Sequence, residues 1–139
     1  MARFDIVMQG SSLRTDQASL GICTIALIRD KGKMLLDTGH FGTRRQILAS
    51  LERLGLKAAD IDRVILSHAH WDHALNLELF PKATVIINYK ELDHIRRVRG
   101  DDWATPSIIA LLLERMKVQT TEGDEDLTDE VRVIESPGH

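Results

Sequence analysis

Residues 62–73 read Asp62-Arg63-Val64-Ile65-Leu66-Ser67-His68-Ala69-His70-Trp71-Asp72-His73. The aliphatic run up to Leu66 has the make-up of a short buried β-strand. The six residues from His68 to His73 hold three histidines and one aspartate. A strand whose carboxyl end delivers reactive side chains into a loop is a habit of α/β proteins. In an extended segment residues two apart point the same way, so His68 and His70 are set to clamp one ion. Asp72 and His73 fall where the chain turns into a helix, and point toward a second ion beside the first. Imidazole with carboxylate suits borderline divalent metals, with zinc the first candidate. Two such ions lie roughly 3.5–4 Å apart in two-metal sites. Chance produces H-x-H-x-D-H in about one chain in a thousand of this length and histidine content, so the signal is strong.

Upstream of this run the punctuation is equally clear. Thr43 and Gln46 have capping-box spacing, Ile47, Leu48, Leu51 and Leu54 share a helix face, and Gly55 ends the helix. Before it, Leu20 to Ile28 and Met34 to Leu36 form the arms of a hairpin around Asp30-Lys31-Gly32-Lys33, ending at Asp37-Thr38-Gly39. Phe4 to Met8 is a further strand, followed by a polar loop over Gln9-Gly10-Ser11-Ser12.

Downstream, a short helix begins near Asp72, Pro81 breaks the chain, and Ala83 to Ile87 is a strand. Asn88 and Glu91 cap a helix carrying Leu92, Ile95 and Val98 and closed by Gly100. Thr105 as N-cap, with Pro106 in the first turn, starts a helix running to about Met116. Glu122 to Asp126 is an acidic loop, and Val131 to Ile134 is a last strand leading into Ser136-Pro137-Gly138-His139. Strands interleaved with helices over 139 residues describe one α/β domain.

A hydrophobic content of 43% is enough for a core, and a net charge of −3 gives no electrostatic reason to bind nucleic acid or an anionic membrane. No apolar run approaches the roughly 20 residues that span a bilayer, and the N-terminus lacks signal-peptide order. The single cysteine, Cys23, excludes an internal disulfide. A cytoplasmic protein acting on a small-molecule substrate is the expectation.

His68-Ala69-His70-Trp71-Asp72-His73, preceded by Leu36-Asp37-Thr38-Gly39 and followed by Ser136-Pro137-Gly138-His139, resembles the metallo-β-lactamase fold superfamily of metallohydrolases over nearly the whole chain. The resemblance implies an αββα sandwich. It implies that His68, His70 and His139 bind the first zinc, and that Asp72 and His73 bind the second. Asp72 would also steer the attacking water, as the catalytic residue, with Asp37 a buried support. It leaves iron or manganese as other metals for the site. The electron-transferring di-iron branch usually carries glutamate at the position of His70, which points this chain to hydrolysis of an ester, thioester, lactone or related bond. Members of the superfamily also have a bridging aspartate and a histidine downstream of the Ser-Pro-Gly-His motif. The chain therefore resembles the N-terminal half of the sandwich, truncated on the C-terminal side. Such a half should leave a sheet face and the apolar helix at Ile108–Met116 uncovered, and should pair with a second copy or with the missing C-terminal half.

Three other functions fit the same motif. They are a mononuclear-iron sulfur dioxygenase, a phosphodiesterase or ribonuclease, and an inactive metal-binding fragment. Outside the motif, His40 reads as a partly exposed loop histidine, with a place at the site rim as the alternative, and His94 as a solvated helix residue. Cys23 reads as a packed strand residue, and Arg96, Arg97 and Arg99 as a solvated helix end beside Asp101 and Asp102. Trp71 reads as a pocket wall or a structural aromatic, and Trp103 lies in a segment that shapes access in similar proteins.

Overall fold

The computed structural model describes residues 1–97 and 102–139. Its centre is a mixed six-stranded sheet. β1 (Arg3–Met8) pairs antiparallel with β4 (Ile25–Arg29), with an irregularity between Ile6 and Met8. β4 forms the expected hairpin with β5 (Lys33–Leu36), whose turn passes Lys31 and Gly32 at positive φ. From β5 the pairing becomes parallel, through β6 (Arg63–Ile65) and β7 (Thr84–Asn88) to β8 (Lys117–Thr121). Parallel pairing needs crossovers, and helices supply them. They are α1 (Arg44–Arg53), the single turn α2 (Trp71–Ala74), α3 (Tyr89–Arg97) and α4 (Ile108–Glu114).

One sheet face carries the main core. Leu27, Leu35, Val64, Val85 and Ile87 pack there against Ile47 and Leu51 of α1, Leu92 and Ile95 of α3, and Ile109 and Leu113 of α4. The opposite face carries Met34, Ile65 and Ile86, with Ile28 and Leu36 beside them. A small hairpin of β9 (Glu125–Asp126) and β10 (Arg132–Val133) covers it in part through Leu127, Val131 and Val133. Strand register puts Phe4 and Ile6 on this same face, where they stay 70% and 48% exposed. The apolar surface predicted for an uncovered face is found there more than on α4, whose Ile109 and Leu113 are buried while Ile108 and Leu111 face out.

Several boundaries differ from expectation, each for a local reason. Leu20 to Ile28 is two strands, because β3 (Ser19–Ile22) leaves the main sheet to pair with β2 (Ser11–Arg14), in the segment expected as loop. Thr43 does not form a capping box with Gln46: its hydroxyl donates to the His40 carbonyl and accepts from the His40 N–H, closing the preceding 3-10 turn. Leu48 lies outside the buried stripe of α1, which is Ile47, Ser50 and Leu51. Asn88 does cap α3 by accepting from Lys90 N, whereas Glu91 points elsewhere. The helix after Pro106 begins only at Ile108, with Ser107 at its N-cap. The expected closure of α3 at Val98 and Gly100 lies outside the described residues, as do Arg99 and Asp101. β8 was not anticipated, since Lys117-Val118-Gln119-Thr120-Thr121 is a polar edge strand without apolar alternation.

The parallel strands β5 and β6 end side by side, and everything chemically notable follows from that placement. After β5 the chain turns at Asp37 (φ 58°) and Gly39 (φ 69°). After β6 it enters the histidine run. A Cβ on Gly39 would come 2.5 Å from Thr43 Oγ1 and 3.1 Å from Ile25 Cδ1. Gly39→Ala should therefore cost about 2–4 kcal/mol, combining left-handed backbone strain and overpacking. Urea unfolding of the variant checks this, and a loss under 1 kcal/mol would show that the turn relaxes freely.

Candidate metal centre

Asp37 is the hub of the strand-end cluster and is 4% exposed. Its Oδ1 accepts from Ser67 N at 2.8 Å. Its Oδ2 accepts from the Ser67 hydroxyl and pairs with His73 Nδ1, each at 2.8 Å. A carboxylate only accepts, so both partners must donate, and this fixes two tautomers. His73 carries its proton on Nδ1 and presents Nε2. Ser67 gives its single proton to Asp37, so its oxygen accepts from His68 Nδ1 at 3.0 Å. His68 Nε2 is then left as a bare lone pair. That atom is buried and has no hydrogen-bond partner among the described residues.

Three imidazoles converge at this point. Ring nitrogens of His68, His70 and His139 lie within 4.8 Å of one another. The His68 ring centroid is 4.5 Å from that of His70 and 4.8 Å from that of His139. His70 Nδ1 and His139 Nε2 are 3.2 Å apart. Nitrogens bound tetrahedrally at 2.0–2.1 Å stand roughly 3.3 Å apart, so the spacing matches one edge of such a site. A buried lone pair facing two further imidazoles fits a divalent ion well. Burial first, and then the neighbouring His73 and His70, push the His68 pKa from 6.5 down to about 4, which keeps the ring neutral as a ligand must be.

Asp72 and His73 stand together beside this trio. Asp72 Oδ2 is 3.7 Å from His73 Nε2, and the His73 ring is 4.0 Å from that of His68. Burial lowers the His73 pKa, but the hydrogen bond and charge of Asp37, with Asp72 behind them, outweigh it and raise the value overall. β3 passes over Asp72, and a Cβ on Gly21 would lie 3.4 Å from its Oδ2. All five residues singled out from the sequence are thus adjacent: His68, His70 and His139 in one group, Asp72 and His73 next to it. A cavity of about 470 Å³ lies at the opposite end of the strands around Lys31 and Arg63. It holds no imidazole and is not the centre of chemistry.

Sequence reasoning missed four supporting residues. Ser67 sets the His68 tautomer, as above. Asn76 is fully buried, and its Nδ2 donates to the carbonyls of Thr38 and His40, holding the Asp37 turn against the end of α2. Glu91 accepts from Ala69 N. Asp102 accepts from Ala104 N and Thr105 N. Nothing in periodicity marks these residues: Asn76 and Glu91 bond backbone atoms distant in sequence, Ser67 joins the side chains of Asp37 and His68, and Asp102 closes a local turn.

The remaining candidates resolve individually. His40 packs edge-on against Trp71 with ring centroids 5.1 Å apart, and both are partly buried. His94 is half-exposed, yet pairs with Asp102 at 3.1 Å instead of being simply solvated. Arg97 pairs with Asp93 at 2.8 Å, and Trp103 is exposed. Cys23 lies between β3 and β4, buried beside Asp37 and His73. Burial, then the charges of Asp37 and Asp72, push its thiol up to about 12, so it is an inert neutral neighbour.

Residues 18–139 match the profile of the metallo-beta-lactamase superfamily. The chain is 33% identical over 119 residues to a Methanocaldococcus jannaschii protein named as a probable metallo-hydrolase, covering 81% of this chain and 56% of that one. Among solved structures, a B. thuringiensis AiiA mutant with N-decanoyl-L-homoserine at its active site superposes with a TM-score of 0.76 at 20% identity, over 99% of this chain and 66% of that one. AidC, a dizinc quorum-quenching lactonase in complex with a product, gives a TM-score of 0.64 at 25% identity, over 79% of this chain and 46% of that one. The chain spans about half the length of that M. jannaschii relative. No helix among the described residues is long and apolar enough to cross a membrane.

Proposed function

The chain belongs to the metallo-beta-lactamase superfamily, and from that premise we propose that it supplies the metal-binding half of a hydrolase cleaving an ester, thioester or lactone in a small molecule. The observation that carries this reading is the unpartnered, buried Nε2 of His68 beside His70 and His139. A neutral imidazole with no acceptor role inside the protein is a ligand in waiting. On this reading His68, His70 and His139 hold the first ion, and Asp72 with His73 contribute to a second. Zinc is the proposed metal, since three imidazoles suit this borderline ion and a dizinc lactonase is among the similar structures. When bound, such an ion lowers the pKa of water to about 7 and polarises a carbonyl oxygen.

The chain's own residues do the orienting. Asp37 fixes His73 with Nε2 outward, Ser67 fixes His68 likewise, and the Asp72 carboxylate is the group placed to accept a proton from a water between the two halves of the site. His40 and Trp71, packed against each other, are proposed as part of the rim a substrate meets. The ligands completing the second ion are proposed to come from the additional length seen in relatives, or from a pairing chain. A cytoplasmic setting is part of the same proposal.

Hydrolysis of an aryl ester, a thioester and an N-acyl homoserine lactone should be measured with the zinc-loaded chain, with its chelator-treated form, and with Asp72→Asn. Turnover of at least one substrate is expected. It should be lost on chelation and fall at least about 100-fold in Asp72→Asn, as general-base losses do. No turnover of any of the three with zinc, manganese or iron loaded would contradict the proposal for this chain. One iron per chain with oxygen uptake on a persulfide would replace hydrolysis by oxidation.

A further inference from the structure

His68, His70 and Asp72 alternate with two spacers, Ala69 and Trp71, and both spacers are held through their backbone N–H groups. Ala69 is fully buried, and its N–H donates to Glu91 Oε1 at 2.7 Å. Trp71 N donates to the Ala104 carbonyl at 2.8 Å. The loop carrying Ala104 is closed by Asp102, whose Oδ1 accepts from Ala104 N at 3.0 Å and Thr105 N at 3.2 Å. Asp102 Oδ2 in turn meets His94 Nε2 at 3.1 Å. Glu91 and His94 are both on α3, three residues apart, and so on one face of it. The same helix is anchored in the core by Leu92 and Ile95.

We propose that α3 is the element that positions the metal loop and that Glu91 is its positioning residue, an inference that rests on the metal-binding reading above. The physical need is specific. The segment from His68 to His70 leaves the sheet, so the Ala69 N–H gains no partner from a neighbouring strand, and burial denies it water. The Glu91 side chain has the reach to bring an acceptor oxygen to this N–H, and that bond fixes where the backbone runs between the two histidines. Without it, relief of the buried N–H comes from moving Ala69 toward solvent. That movement carries the His68 and His70 rings apart, because both are one residue away. Glu91 touches neither the ion nor the substrate in this account; it acts only through the backbone.

The test uses two variants that separate reach from charge. Glu91→Gln keeps an oxygen at the same reach and loses the charge. Glu91→Asp keeps the charge and draws it back by one methylene, about 1.5 Å. Cobalt(II) is titrated into the full chain and followed by visible absorption and by competition with a chelating dye. Glu91→Gln is expected to bind within about 3-fold of the unaltered chain. Glu91→Asp should bind 10–100-fold more weakly, the range for lost support of a ligand, with altered d–d bands. Unfolding of the metal-free proteins should give midpoints within about 5 °C of one another. The inference is overturned if Glu91→Asp matches the unaltered chain in affinity and spectrum, if the order of the two variants is reversed, or if weaker binding merely tracks lower unfolding midpoints. If the unaltered chain binds no cobalt, the metal-binding reading fails, and this inference fails with it.

Discussion

Alanine in place of Asp37 is expected to destabilise the metal-free chain by about 3 kcal/mol and to weaken metal binding by 10–100-fold. Three donors lose their acceptor at once, namely Ser67 N, Ser67 Oγ and His73 Nδ1. Each bond to a buried charge contributes about 1.5–3 kcal/mol, and the three share one carboxylate, so their losses are not additive. Asparagine at the same position separates the two effects. Its oxygen can still accept from Ser67 N, and asparagine tolerates the left-handed backbone found there. Its amide nitrogen then faces His73 Nδ1 and favours the tautomer with the proton on Nε2, which cannot coordinate an ion. Asp37→Asn should therefore recover about half of the lost stability while binding metal as poorly as Asp37→Ala. Calorimetric unfolding and metal titration on both variants check this. Full recovery of metal binding in Asp37→Asn would show that Asp37 does not set the ring orientation.

His68→Ala should have the opposite profile, with little loss in the metal-free protein and a complete loss of its response to metal. The buried lone pair on Nε2 is an unpaired polar atom until an ion reaches it, so deleting the ring removes an unfavourable group along with its packing. For the unaltered chain, metal at 100 times its dissociation constant adds about 2.7 kcal/mol, or roughly 10 °C at this size. His68→Ala should show no such rise. The pH dependence gives a second handle. Because the folded His68 titrates near 4 and the unfolded one near 6.5, the unfolded chain binds the extra proton as pH falls between these values, and the fold loses stability there. His73, raised instead, contributes stability that is fully present below 6.5 and is lost as pH rises through its folded value, so it acts outside this window. The difference between the unaltered protein and His68→Ala isolates the first effect. The unaltered chain should lose more stability than the variant between pH 6.5 and 4. A metal-induced rise that survives in His68→Ala would remove His68 from the ligand set.

How much of this was legible in the sequence depended on whether a residue's partners were near it in the chain. The histidine run declared itself because metal ligation needs side chains of one chemistry at fixed local spacing, and its strand was marked by four consecutive aliphatic and basic positions from Arg63 to Leu66. The β4–β5 hairpin was legible for the same reason, its turn residues being adjacent to both arms. What failed to show were elements defined by distant partners. β8 is a strand because β7 offers a parallel edge, with Thr84 to Asn88 matched to Lys117 to Thr121, and its own residues carry no alternation. Glu91 reads as a helix cap three residues after Asn88, but its carboxylate reaches Ala69 instead. Thr43 reads as a cap for α1, but the 3-10 turn before the helix takes its hydroxyl first. Asn76 was silent because a buried amide among leucines has no pattern to betray it, and only the turn at Thr38 and His40 explains it.

On the proposed reading, His68, His70 and His139 gather one ion at the carboxyl ends of β5 and β6. Crystals grown with zinc and measured on both sides of the zinc absorption edge test it most directly. An anomalous peak is expected about 2.0–2.1 Å from Nε2 of His68 and from one ring nitrogen each of His70 and His139. A zinc peak elsewhere on the chain, or these three rings turned away from one another with zinc present, would contradict it.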